Sequence, residues 1–231
     1  MTILVLVHGW GATGEVWQPQ RDYFRAQTQV LTPTLPAWEA TWLADYLGKL
    51  PLQDCVLVGW SLGGMLLAEA LSSRPGPPPG KLVLTGVAPV FTRRPDYPWG
   101  QPPAVVRAMR RGLKDNRRQV LDEFAGRCLA SGEAAFNLPA QAAFASAPAS
   151  GTLTPGLDYL LTCDLRPLLP GLPAGAVIIQ GQEDQIVPPA QGRFLKDQLP
   201  GARLYDLPGA GHLPFLTQAP VFNRIIAECL S

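Results

Sequence analysis

Cys55-Val56-Leu57-Val58-Gly59-Trp60-Ser61-Leu62-Gly63-Gly64-Met65-Leu66-Leu67-Ala68-Glu69-Ala70-Leu71 decides the fold. An apolar run short enough for a buried strand passes through G-x-S-x-G into residues with helical character. Such a sequence between a strand and a helix is a nucleophile elbow: the serine sits on a strained turn, and small neighbours let the helix start close against the strand. The hydroxyl is then presented above the sheet edge, with the following amide aimed at a developing oxyanion.

Reading outward, strands and helices alternate. Ile3–Val7 is an aliphatic run suited to a parallel sheet buried on both faces. A helix over 17–26, a short strand at 30–31, a helix over 41–50 and a strand over 56–58 lead to the elbow helix, expected to end near Ser73. Pro75-Gly76-Pro77-Pro78-Pro79-Gly80 must turn. Strands follow at 82–87, 176–180 and 203–207, with helices at 190–198 and 221–230. This alternation predicts an α/β fold with a parallel sheet. Between Pro89 and Leu169 there is no convincing strand, and helical periodicity appears at 105–113 and 119–129. The expectation is a core of residues 1–88 and 170–231 with a helical lid, 89–169, over the sheet's C-terminal edge.

A serine nucleophile needs a base, and the chain holds two histidines. In the elbow fold the acid and then the histidine follow the serine, which selects His212 in Gly209-Ala210-Gly211-His212-Leu213-Pro214-Phe215. His8-Gly9-Trp10-Gly11 matches instead a loop presenting backbone amides to the substrate oxygen. The acid should follow the penultimate strand, where Gln182-Glu183-Asp184-Gln185 favours Asp184. Glu183 competes from the adjacent position. Asp164, in Asp164-Leu165-Arg166-Pro167, competes from the lid exit, where capping is the bland explanation. The chemistry expected is attack by Ser61 on a carbonyl, with His212 taking the proton and Asp184 holding the imidazole.

Composition narrows the class. With 47% apolar and 16% charged residues and a net charge of +1, nothing points to nucleic acid or an anionic membrane. No stretch has the length of a membrane span, and Met1-Thr2 before the first strand has no secretory character, so no secretory leader is expected. Cys55, Cys128, Cys163 and Cys229 show no disulfide-like or C-x-x-C spacing, so a cytoplasmic location is expected. No metal or other cofactor is expected, since both histidines are assigned and no ligand cluster remains.

His8-Gly9-Trp10-Gly11, the elbow with Trp60, Asp164-Leu165-Arg166, residues 181–188 and Gly211-His212-Leu213-Pro214-Phe215 together resemble the pimeloyl-acyl-carrier-protein methyl ester esterases of biotin synthesis. These are α/β-hydrolases with a helical lid. The resemblance spans nearly the whole chain. It implies an oxyanion hole from the amides of Trp10 and Leu62, and substrate contacts from Trp10 and from a lid segment starting near Phe124. Cys128 stands where the family has a polar residue contacting substrate. Seven residues precede His8, fewer than in that family, so a six-stranded, all-parallel sheet with a different edge strand is expected.

Charge adds an independent clue to the partner. Arg93, Arg94, Arg107, Arg110, Arg111, Lys114, Arg117 and Arg118 stand against Asp96 and Asp115, giving that segment +6 in a chain of +1. Arg107, Arg110, Arg111 and Lys114 share one helix face, with Met109 and Leu113 opposite. Such a stripe either is simply solvated or steers an acidic carrier protein. The chain therefore reads as a serine carboxylesterase, with a general small-ester or lactone hydrolase and a non-catalytic ligand-binding relative as alternatives.

Overall fold

The computed structural model describes residues 2–72, 74, 76–145 and 150–230. Ser73 and Pro75, expected at the end of the elbow helix and in the turn after it, lie outside the described residues.

Six strands, β1 (Ile3–Val7), β2 (Gln29–Leu31), β3 (Cys55–Trp60), β4 (Lys81–Thr85), β5 (Val177–Gly181) and β6 (Arg203–Leu207), form one sheet in the order β2-β1-β3-β4-β5-β6. Every pairing is parallel, with Val7 opposite Gly59 and Trp60 opposite Thr85. β3 is buried along its whole length, as its run of Val and Leu requires. Each such aliphatic side chain contributes about 1.5–3 kcal/mol by leaving water.

Right-handed crossovers sort the helices. The connection from β1 to β2, through α1 (Gln18–Phe24), steps one way along the sheet. Those from β2 to β3 through α2 (Ala40–Leu47) and from β3 to β4 through α3 (Leu62–Ser72) step the other way. With a fixed hand, α1 takes one face, and α2 and α3 take the opposite one. The packing agrees: α2 rests on α3, and α1 rests on the C-terminal helix. The order reverses at β1 and β3, which makes the crevice beyond their C-terminal ends the switch point where open α/β sheets carry their sites. His8 follows β1 there, and Ser61 follows β3.

Between β4 and β5 stand α4 (Pro103–Asp115), α5 (Arg117–Arg127), α6 (Asn137–Ala145) and α7 (Ser150–Thr162). The sequence pattern pointed to α4 and α5 and missed α6 and α7. Pro139 lies in the first turn of α6, where its missing N–H has no helical partner anyway. Pro155 is tolerated inside α7 because packing outweighs one lost hydrogen bond; Leu153, Leu157 and Leu160 are buried. After β5 come α8 (Pro189–Gln198), β6, the single turn α9 (Pro214–Thr217) and α10 (Ala219–Leu230). Trp17 of the first connection packs on Phe215 and Phe222, and Gln20 in α1 donates to the Phe215 carbonyl at 2.7 Å. Among the described residues, no helix is long and apolar enough to cross a membrane.

Candidate active site

Ser61 is the one non-glycine residue with a left-handed backbone among those described, at φ 53°. Such a conformation costs about 1–3 kcal/mol and must be enforced. Its N–H donates to the Thr85 carbonyl at 2.9 Å, and its own carbonyl accepts from Gly64 and Met65. Absent side chains make the rest possible. A Cβ on Gly63 would lie 2.1 Å from the His8 carbonyl oxygen, and one on Gly59 would lie 2.4 Å from Gly64 Cα. The helix start is thus pressed between β3 and the loop after β1. That loop reaches the serine, since a Cβ on Gly9 would be 3.0 Å from Ser61 Cβ. The amides of Trp10 and Leu62 donate to no other group among the described residues, leaving both open to an oxyanion.

His212 is fully buried, and its Nδ1–H donates to Asp184 Oδ2 at 2.7 Å. The other carboxylate oxygen accepts from the amides of Ile186 and Val187, each at 2.8 Å. The acid is thereby oriented on both sides. Nε2 of His212 is buried without a partner, and Ser61 Oγ forms no hydrogen bond to it in this structure. Such contacts commonly tighten only with substrate bound. Trp60, next to Ser61, donates its indole N–H to the His212 carbonyl at 2.9 Å and so joins the two loops. An imidazole held at Nδ1 by a carboxylate and open at Nε2 can accept a proton there.

The competing acids lie elsewhere. Asp164 is engaged by Arg166 at 2.7 Å and Arg94 at 3.0 Å, and Arg166 also pairs with Asp96. The hydrogen bond from Arg166 holds the Asp164 carboxyl below its usual range. Glu183 is exposed and accepts from Ser131 at 3.0 Å. His8 is locked at both nitrogens: Nδ1–H donates to the Gly9 carbonyl and Nε2 accepts from the Leu35 amide, both at 3.0 Å. Burial pushes its pKa down to about 4.

Beside Ser61 lies a cavity of about 20 Å³, room for little more than a water. Trp10 and Phe124 line it, meeting edge to face with centroids 5.1 Å apart. Trp10 also donates to the Leu153 carbonyl at 2.8 Å, which docks α7 onto the loop after β1. Cys128, expected to contact substrate, is fully buried and is not among the residues lining the cavity. With Phe124 facing inward, the residue three positions on, Arg127, shares that face, while Cys128 turns under the helix end. Burial, and then the Asp184 charge, push the Cys128 thiol well above its usual range. Its carbonyl accepts the His212 amide at 2.7 Å.

Glu133 joins the same seam. This buried carboxylate accepts from the amides of Ala130, at 2.8 Å, and Gly211, at 3.1 Å. Sequence reasoning missed Glu133, Gln101 and Arg127. For Glu133 and Gln101 the one available signal was a lone acid or amide in an apolar segment. Of the basic stripe, Arg110 is ion-paired with Asp158 at 2.7 Å, whereas Arg107, Arg111 and Lys114 are exposed and meet no acid among the described residues. No cluster of His, Cys, Asp and Glu suited to a metal ion occurs among the described residues.

Residues 4–225 match the alpha/beta hydrolase family. The chain belongs to that family. A pimeloyl-[acyl-carrier protein] methyl ester esterase of Chromobacterium violaceum is 33% identical, over 98% of this chain and 93% of its own. The enzyme of the same name from Aromatoleum aromaticum is 32% identical, over 93% of this chain and 92% of its own. An esterase from Exiguobacterium antarcticum shares the fold with a TM-score of 0.89 at 24% identity, over 100% of this chain and 92% of that one. With that family, that fold and those relatives, the enzyme is a carboxylic ester hydrolase.

Proposed function

We propose that this hydrolase cleaves the methyl ester of a carrier-bound pimeloyl chain, the substrate for which its relatives are named. In this reading residues 89–169 act as a lid over a core of residues 1–88 and 170–231. Ser61 Oγ attacks the ester carbonyl while His212 Nε2 takes its proton. The amides of Trp10 and Leu62 hold the oxyanion, and the same imidazolium protonates departing methanol. Water then repeats the sequence on the acyl-enzyme. The buried Asp184–His212 pair carries this reading, because it fixes the tautomer that leaves Nε2 free to act as base.

The cavity holds only about 20 Å³ as it stands, and the α4–α5 groove of about 420 Å³ beside it shares Val105, Met109, Phe124 and Arg127 as its wall. Rotation of those side chains would join the two and admit an acyl chain. The cationic face of α4 stands near this mouth, suited to an acidic carrier protein. The small volume of the cavity also favours a second reading, hydrolysis of small free esters.

A substrate panel decides between them. Carrier-bound methyl pimeloyl should exceed free methyl esters in kcat/KM by at least about tenfold, and that ratio should shrink with salt as a Debye length of about 8–10 Å screens the stripe. Reversing Arg107 and Arg111 to Glu should lower the ratio most at low salt. Equal rates on both substrates would favour the small-ester reading. No turnover even of p-nitrophenyl acetate would leave a ligand-binding relative.

A further inference from the structure

Trp10, Phe124, Met109 and aliphatic side chains wall the cavity at Ser61, and Arg127 is the one charged group among its lining residues. The guanidinium is half-buried, and its one hydrogen bond, to Gln101 Oε1 at 3.3 Å, is to a neutral group. Gln101 is itself fixed. Its Nε2 donates to the carbonyls of Gln185 at 2.6 Å and Ile186 at 2.9 Å, beside Asp184. The amide can therefore offer only its oxygen to Arg127. A guanidinium carries five N–H donors in a fork shaped for two oxygens, so this one has donors to spare toward the cavity and the groove. Asp115 and Glu123 line the groove, but neither forms an ion pair with it among the described residues.

An apolar channel serves an alkyl chain, and a half-buried cation without an ion-pair partner among the described residues opposes one. The two fit a chain that is alkyl in the middle and bears oxygen at its far end. We infer that Arg127 is a specificity-determining residue that reads such an oxygen-bearing head group, so that the enzyme selects monoesters of dicarboxylic acids over esters of plain fatty acids. The inference rests on the esterase reading above and deepens it. The head group is either the carboxylate of a free half-ester or the carbonyl of a thioester; both accept from a guanidinium, the carboxylate in bidentate form.

Three methyl esters of matched chain length separate the cases: monomethyl pimelate, methyl heptanoate and the N-acetylcysteamine thioester of methyl pimelate. The readout is kcat/KM for each diacid derivative relative to methyl heptanoate, in the wild-type enzyme and in Arg127→Leu, Arg127→Gln and Arg127→Lys. In the wild type at least one ratio should exceed unity by about tenfold or more, because a site built to hydrogen-bond a group rejects the analogue lacking it. Arg127→Leu should abolish that preference and Arg127→Lys should retain most of it. Arg127→Gln keeps a polar side chain and serves in place of Arg127→Leu should that variant fail to fold. A fall in the half-ester ratio identifies a carboxylate; a fall confined to the thioester ratio identifies a carbonyl. Losses common to all three esters, with both ratios unchanged, would overturn the inference. A wild-type enzyme inert on all three and on p-nitrophenyl acetate would instead bring down the esterase reading.

Discussion

The two histidine loops stand at the same edge of the sheet and are built for opposite ends. His8, after β1, uses both ring nitrogens on backbone partners and is held neutral by burial. His212, after β6, uses one nitrogen on Asp184 and leaves the other open. Both rings are buried. The difference lies in how many nitrogens the fold consumes. A histidine tied at both nitrogens stabilises a loop, and one tied at a single nitrogen to a carboxylate keeps a basic site for chemistry.

The largest expected effect tests that contrast directly. Ser61→Ala or His212→Ala should lower kcat by on the order of 10⁴–10⁶, with Asp184→Asn somewhat milder, because the three residues act as a unit. His8→Gln, assayed at a temperature where it stays folded, should lose at least about a hundredfold less. Comparable losses at the two histidines would erase the distinction. A harmless Asp184→Asn beside a damaging Asp164→Asn would move the acid to the cluster with Arg94 and Arg166.

A smaller effect probes how the His212 loop is held. Gly211 and His212 donate their amides to Glu133 and to the Cys128 carbonyl, and a Cβ on Gly211 would lie 2.4 Å from that carbonyl oxygen. Gly211→Ala must therefore separate the loop from the end of α5. Glu133→Ala leaves two buried amides without an acceptor, at about 1–3 kcal/mol each. Both variants should lower the thermal midpoint and also kcat on a small ester, with KM little changed. Glu133→Gln, which keeps an acceptor oxygen, should recover most of kcat. Unimpaired kcat in folded Glu133→Ala would reduce the seam to a stability element.

These contacts also show why the sequence was legible in one place and opaque in another. The elbow was readable because its residues lie together in one short motif: Ser61 takes the left-handed turn, Gly59 must clear Gly64 within the motif, and Gly63 must clear the loop after β1. The six parallel strands were readable from aliphatic runs, and the order of serine, acid and histidine picked out Ser61, Asp184 and His212, whose side chains the fold brings to one edge. The helical segment between β4 and β5 was harder, because its decisions are tertiary. α7 continues through Pro155 because Leu153, Leu157 and Leu160 are buried by tertiary packing, and the indoles of Trp10 and Trp38, distant in sequence, dock it through the Leu153 and Thr152 carbonyls. Arg127 rather than Cys128 faces the cavity because of one residue of helix phase, finer than periodicity alone resolves. Glu133 was harder to read, since only one amide it serves, that of Ala130, is near in sequence, and the other, that of Gly211, becomes a neighbour only on folding.

The smallest expected effect returns to His8 and is one of stability. Its pKa falls from 6.5 in an unfolded chain to about 4 in the folded protein, chiefly through burial. Between those values the unfolded state binds the extra proton, so stability rises with pH. The contribution is complete above about pH 6.5 and is lost as pH falls toward 4. That span corresponds to about 3 kcal/mol, or at most about 1.4 kcal/mol per pH unit for a single proton. Other groups titrate in the same window, so the comparison must be differential. Urea unfolding of wild type and of His8→Gln from pH 7 down to 4 should give a stability difference that narrows with acidity, because the variant has no imidazole to protonate. Parallel stability curves over that range would mean that His8 takes up its proton without leaving the fold, and the contrast between the two loops would then rest on hydrogen bonding alone.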